Sequence, residues 1–131
     1  MKLSTNLESL NRSELLKLNK CLIMACSEVL GSSNTMVRTT KRNSPYYKGY
    51  FDIEDNRILI FRSSIKDIRD YVETFIHEWT HSRQMKISKM YYKMDSKYGY
   101  DKNPFEIEAI ENEKKFRPEV WKITKNLIKV S

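Results

Sequence analysis

The stretch His77-Glu78-Trp79-Thr80-His81 constrains this chain more than any other. It reads H-E-x-x-H, and its two histidines are the only ones in the sequence. On a helix, residues i and i+4 share one face, roughly 6 Å apart along the axis at ~1.5 Å per residue. Two imidazoles so placed can grip one zinc ion, and the glutamate between them can reach a water on that ion. The surrounding apolar residues Tyr71, Val72, Phe75, Ile76 and Trp79 recur at helical spacing, which predicts a helix with a buried stripe beside the histidine face. Trp79 belongs to that core. A catalytic zinc takes three protein ligands and leaves one position open. No further histidine and no suitably placed cysteine is present, so the third ligand must be a carboxylate. Asp95 and Asp101 lie in a tyrosine-rich connector, and Glu106, Glu108 and Glu111 lie beyond it. A helical carboxylate is better fixed than one on a loop, which favours the second group.

The rest of the chain supplies a scaffold. Asn11 to Leu30 reads as an amphipathic helix, capped by Asn11 or Ser13 and ended by Gly31. Leu15, Leu16, Leu18, Leu22, Ile23, Ala25, Val29 and Leu30 form its apolar face. A strand is expected at Met36 to Thr40, and a loop around Lys41-Arg42 and Ser44-Pro45. Tyr46 to Ile53 and Ile58 to Phe61, joined by the polar turn Glu54 to Arg57, predict an antiparallel hairpin whose tyrosines pack on the sheet. Ser63 or Ser64 can cap the histidine-bearing helix, with a break near Asp67, and Arg83 and Gln84 carry it on into Met85 and Ile87. Lys89 to Asn103 reads as a connector able to fold over the site. Asn103-Pro104 starts a last helix, because proline suits the first turn, and Pro118 is expected to break or kink it before an apolar stripe from Val120 to Val130. Glu111 and Glu113 read as a solvated face.

Composition narrows the setting. The chain has 131 residues, enough for one domain, and its 24 Lys and Arg outnumber 17 Asp and Glu for a net charge of +7. The lysines are spread along the chain, as on a solvated surface, and an acidic partner such as nucleic acid is the lesser alternative. Cys21 and Cys26 are not at chelating spacing and read as reduced, partly buried thiols, which suits a cytoplasmic protein. No stretch approaches the ~20 apolar residues of a membrane span, and the N-terminus opens no signal-peptide run, so no membrane partner is expected.

His77-Glu-x-x-His81 followed by a glutamate-bearing helix resembles the gluzincin metallopeptidases. H-E-x-x-H-x-x-Q ending at Gln84, then Asn103-Pro104-x-Glu106-x-Glu108-Ala109, is similar to small phage and bacterial members of that group; the CAAX-type prenyl proteases and repressor-cleaving peptidases of phage immunity share the pattern. The resemblance covers about Ile58 to Asn112. It implies an α+β minimal zincin-like domain, with a short antiparallel sheet, an N-terminal helix, an active-site helix and a C-terminal glutamate-bearing helix. It implies Zn2+ as cofactor, a peptide or protein as substrate, Glu78 as general base, and Glu106 as third ligand. Ile110 stands where the family places an acid or amide. Glu108 with Asn112 makes an alternative register, with Glu108 as ligand and Asn112 orienting a histidine. Glu106 and Glu108 point about 200° apart on a helix, so only one can face the metal. Gln84 is a further candidate beside the histidines, Tyr98 and Tyr100 are candidate oxyanion donors, and Ile58 to Phe61 is a candidate edge for an added peptide strand. The competing expectations are a zinc-stabilised protein that binds a regulatory partner without catalysis, and a basic nucleic-acid-binding protein.

Overall fold

Asn11 opens the first helix with a capping box. Its side chain accepts from Glu14 N at 2.8 Å, and the Glu14 carboxylate accepts from Asn11 N at 3.0 Å. This helix, α1, runs Arg12–Leu30 and ends at Gly31, whose φ of 103° is open chiefly to glycine. Leu15, Leu18, Leu22 and Ala25 are buried, while Leu16 is exposed. The structure is a computed structural model that describes residues 1–42, 44, 46–84 and 87–130. Pro45 of the expected loop and Met85 of the expected helical extension lie outside the described residues.

Three strands follow: β1 (Met36–Thr40), β2 (Gly49–Asp52) and β3 (Arg57–Phe61). The hairpin is antiparallel as expected, with Gly49 opposite Ile60 and Asp52 opposite Arg57. The sheet as a whole is mixed, however. Its order is β1-β3-β2, and β1 pairs with β3 in parallel. The strands alternate in direction along the chain, so β1 and β3 run the same way. β3 takes the centre because Ile58 and Ile60 are fully buried and alternate with less buried neighbours. Ile58 to Phe61 is therefore not an edge. The edge facing the histidine helix is β2.

That helix, α2 (Ile68–Arg83), is capped by Asp67, which accepts from Asp70 N at 2.9 Å. Neither serine caps it, because Ser63 donates to Lys41 O and Ser64 to Ser44 O, each at 2.9 Å. Ile68, Tyr71, Val72, Phe75, Ile76 and Trp79 are fully buried in a cluster shared with α1 and β3. The Trp79 indole donates to Gly31 O at 2.9 Å, fixing the end of α1 on α2. The Tyr71 hydroxyl bonds to Asn19 and, at 2.7 Å, to Thr39, joining α1, β1 and α2.

α2 stops at Arg83, and Gln84 turns extended with ψ of 121°. The tyrosine-rich connector is largely helical rather than a loop. α3 covers Ile87–Tyr98, a run free of Gly and Pro, and Gly99 with φ of 78° ends it. The last helix, α4, runs Pro104–Val130 without interruption at Pro118. Proline there forfeits one backbone hydrogen bond. Burial of Val120, Trp121 and Thr124 beyond it keeps the second half in place. The architecture is α+β. No helix among the described residues is long and apolar enough to cross a membrane.

Candidate metal centre

α2 brings the two imidazoles side by side, with ring centroids 4.9 Å apart and planes at 77°. Both Nε2 atoms point to one place. Each lies 2.9 Å from the same oxygen, Glu106 Oε1, supplied by the first turn of α4. Three ligand atoms around a tetrahedral zinc at ~2.0–2.1 Å stand about 3.3 Å apart, so each Nε2–Oε1 separation is within a few tenths of an ångström of that spacing. His77, Glu78 and His81 also offer ligand atoms within 4.8 Å of one another, a group that can hold a metal ion. Glu108 reaches neither histidine; it is exposed and accepts from Gln84 Nε2 at 2.9 Å.

The outer ring nitrogens are held as well. His77 Nδ1 meets Glu113 Oε2 at 2.9 Å. His81 Nδ1 meets Gln84 Oε1 at 2.7 Å. The Gln84 amide nitrogen donates to Phe105 O at 2.8 Å and to Glu108, which fixes the amide's orientation. Its oxygen must then face His81, and His81 Nδ1 must carry the hydrogen. In the neutral ring the Nε2 lone pair is therefore aimed inward, as metal binding requires. Glu113 places the same demand on His77.

Glu113 is thus not a solvated face: it is half-buried and bonded to His77. It sits seven residues after Glu106, two turns along the same face, a spacing that was readable as a pair. Asn112 does not orient a histidine. It donates to Thr80 Oγ1 at 3.2 Å, and all four ring nitrogens have other partners. Tyr98 is exposed, has Lys97 over its ring at 5.1 Å, and is not among the described residues that line the space beside the histidines. Tyr100 does line the site. The sequence reading passed over Tyr91, whose hydroxyl donates to Glu106 Oε2. Tyr91 becomes readable once its segment is placed on a helix facing α4.

Burial shapes the charges. Glu106 is 3 % exposed and Glu78 is 7 % exposed. Burial alone would lower the His77 pKa, but its bonds to Glu106 and Glu113 outweigh that and push it up to about 10. His81 moves the same way: burial opposes, and the Glu106 bond prevails. Burial would raise Glu106, yet the two histidines hold it far below the usual carboxylate range. Glu78 is raised by burial, only partly offset by the histidines. The hydroxyls of Tyr91 and Tyr100 are pushed up, first by burial and then by the nearby Glu106.

Two bays flank His77 and Glu78. One of about 340 Å³ runs toward α3, and one of about 300 Å³ runs toward Glu113. Both are walled by β2. Gly49 lets this strand close on α2, for a Cβ there would lie 2.7 Å from Thr74 Cγ2 and 3.0 Å from Glu78 Cγ. Tyr46, Tyr47 and Tyr50 do not pack beneath the sheet. They are exposed and rim these bays. Comparison with protein-family models, with curated proteins and with solved structures finds no match.

Proposed function

We propose that this chain is a zinc-dependent peptidase of the gluzincin kind, with a zincin-like site. The observation that carries the reading is the convergence of His77 Nε2, His81 Nε2 and Glu106 Oε1 beside the buried Glu78 carboxylate. Two imidazoles and one carboxylate form a donor set that suits zinc. His77, His81 and Glu106 would hold the ion. Bound there, zinc supplies Lewis acidity and water activated near neutral pH.

The chain's own residues do the rest. Glu78 accepts a proton from water and passes it to the leaving amine, and its raised pKa makes it a better proton acceptor than an exposed carboxylate. Tyr100 keeps its hydroxyl proton and can donate to developing negative charge on a carbonyl oxygen, while Tyr91 directs its proton to Glu106 Oε2 and so holds that carboxylate in place. Glu113 and Gln84 keep both imidazoles in the orientation that presents Nε2. The free edge of β2, which walls the cleft, can take an extended peptide as a further strand.

The test is zinc content and cleavage of an unfolded protein by the wild type and by Glu78→Gln. The expected result is about one zinc per chain in both, as a single site requires, with cleavage at least ~100-fold slower in the variant. Cleavage that survives Glu78→Gln would overturn the mechanism. Zinc binding without any cleavage would favour a zinc-stabilised interaction protein.

A further inference from the structure

The bay toward α3 differs in charge from the molecule around it. Lys and Arg outnumber Asp and Glu by 24 to 17 overall. Among the described residues lining this bay there is no lysine or arginine, and three carboxylates are present: Glu78, Glu106 and Asp95. Glu78 and Glu106 belong to the metal centre, and their two negative charges match a divalent ion. Asp95 remains over. It is half-buried, and among the described residues its carboxylate has neither an ion-pair nor a hydrogen-bond partner.

Aromatic rings line the same bay as that carboxylate. Tyr91 and Tyr92 precede it by four and three residues on α3, so both lie on its side of the helix. They meet edge to face at 5.5 Å. Tyr50 of β2 stands across the bay, near enough that Tyr92 contributes to raising its pKa, after burial. Tyr92 is 65 % exposed, a large outlay of aromatic surface for a residue with no core role. Aromatic faces beside a lone carboxylate attract a cation from two directions at once. The opposite bay contains Lys48, which pairs with Asp70 at 2.9 Å, so the two ends of the cleft differ in character.

We infer that the bay formed by Tyr50, Tyr92 and Asp95 receives a basic side chain, lysine or arginine, of a peptide lying across the metal centre. This rests on the peptidase reading and gives that site a substrate class. A basic residue then occupies one fixed position on one side of the scissile bond.

The experiment titrates the zinc-loaded protein with the blocked tripeptide acetyl-Ala-Lys-Ala-amide and with its norleucine counterpart, followed by NMR of the tyrosine rings. Cleavage sites in an unfolded protein are mapped in parallel. The lysine peptide should shift the Tyr50 and Tyr92 signals and bind about tenfold tighter than the norleucine peptide, the sum of a partly screened ion pair and a cation–π contact. Asp95→Asn should erase the preference, and Tyr92→Ala should reduce it about threefold. Equal affinity for the two peptides, or a preference that survives Asp95→Asn, would overturn the inference. Cleavage without enrichment of lysine or arginine would also overturn it and leave the peptidase reading standing. Preferential binding without cleavage would sustain the subsite and defeat the peptidase reading.

Discussion

Three acidic residues of α4 should differ in their effect on zinc affinity in a fixed order. Apparent zinc binding by four-ligand structural sites amounts to about 10–16 kcal/mol, or about 3–4 kcal/mol per ligand. Glu106 Oε1 is the atom 2.9 Å from both Nε2 atoms, so Glu106→Ala removes a ligand and should weaken zinc by about a hundredfold to a thousandfold. Glu113 would act on the ion only through the far side of the His77 ring. Glu113→Gln keeps the shape but removes the charge at Nδ1, and should weaken zinc about tenfold, the lower end for such outer partners. Glu108 is one step further out, exposed and bonded to the amide that faces His81. Glu108→Ala should cost no more than about threefold, the worth of an exposed hydrogen bond. The assay is competition against a chromophoric chelator at fixed pH, because binding releases protons. A larger loss in Glu108→Ala than in Glu106→Ala would refute the geometry, as would three equal losses.

The metal-free and zinc-loaded proteins should show opposite pH slopes of stability. Metal-free, His77 is raised above its ordinary 6.5 to about 10, so its bonds stabilise fully below about 6.5 and fade as pH climbs through 10. Glu106, depressed below its ordinary 4.5, contributes fully above about 4.5, so metal-free Tm should plateau between these values and fall on the alkaline side. With zinc, Tm should instead rise from about pH 5 to 7.5, because the ion must displace those protons; a fall over that range would refute the proposed competition. Gly49→Ala should destabilise by about 1–3 kcal/mol, since its Cβ would press on Thr74 and Glu78, and an unchanged thermal melt would contradict that packing. Tyr71→Phe removes the hydroxyl shared by Asn19 and Thr39 and should cost about 1–3 kcal/mol in urea unfolding; no loss would mean that this buried network is not a stabilising link.

Some elements were legible because their signals are local. Asn11, Glu14 and Gly31 bracket α1 within the sequence, and the apolar alternation of β3 and the stripe of α2 are visible in the residues themselves. The convergence of Glu106 on the histidines was legible only as one of two registers, since Glu106 and Glu108 share a helix and differ in which way that helix is turned. The parallel pairing of β1 with β3 depends on which strand is the most deeply buried, a comparison among strands that no single one reveals. α3 was passed over although Ile87, Met90, Tyr91 and Met94 recur at helical spacing, because its many tyrosines and lysines read as a polar connector and Ile87 is its only buried residue among those described. The position of Tyr91 was hidden with it. Pro118 misled in the opposite sense, because a strong local breaker was outweighed by tertiary burial of Val120, Trp121 and Thr124.

The burial of the cluster has its own logic. Two carboxylates and two imidazoles in the interior are costly unless their charges compensate. In the metal-free protein both imidazoles hold protons more tightly than free histidine does, and those protons stand against the carboxylates of Glu78, Glu106 and Glu113. A divalent cation that displaced one proton from each imidazole would exchange +2 for +2. The formal charge of the cluster would then not change, and the outer bonds of Glu113 and Gln84 lie at the Nδ1 atoms, away from the Nε2 atoms that would meet the ion. The side chains that face each other without a metal therefore already stand where ligands of such an ion would have to stand. Because His77 and His81 stand on α2 while Glu106 and Glu113 stand on α4, an ion held there also ties these two helices together. Its binding free energy then adds to the stability of the fold by mass action, in proportion to the logarithm of free metal above its dissociation constant.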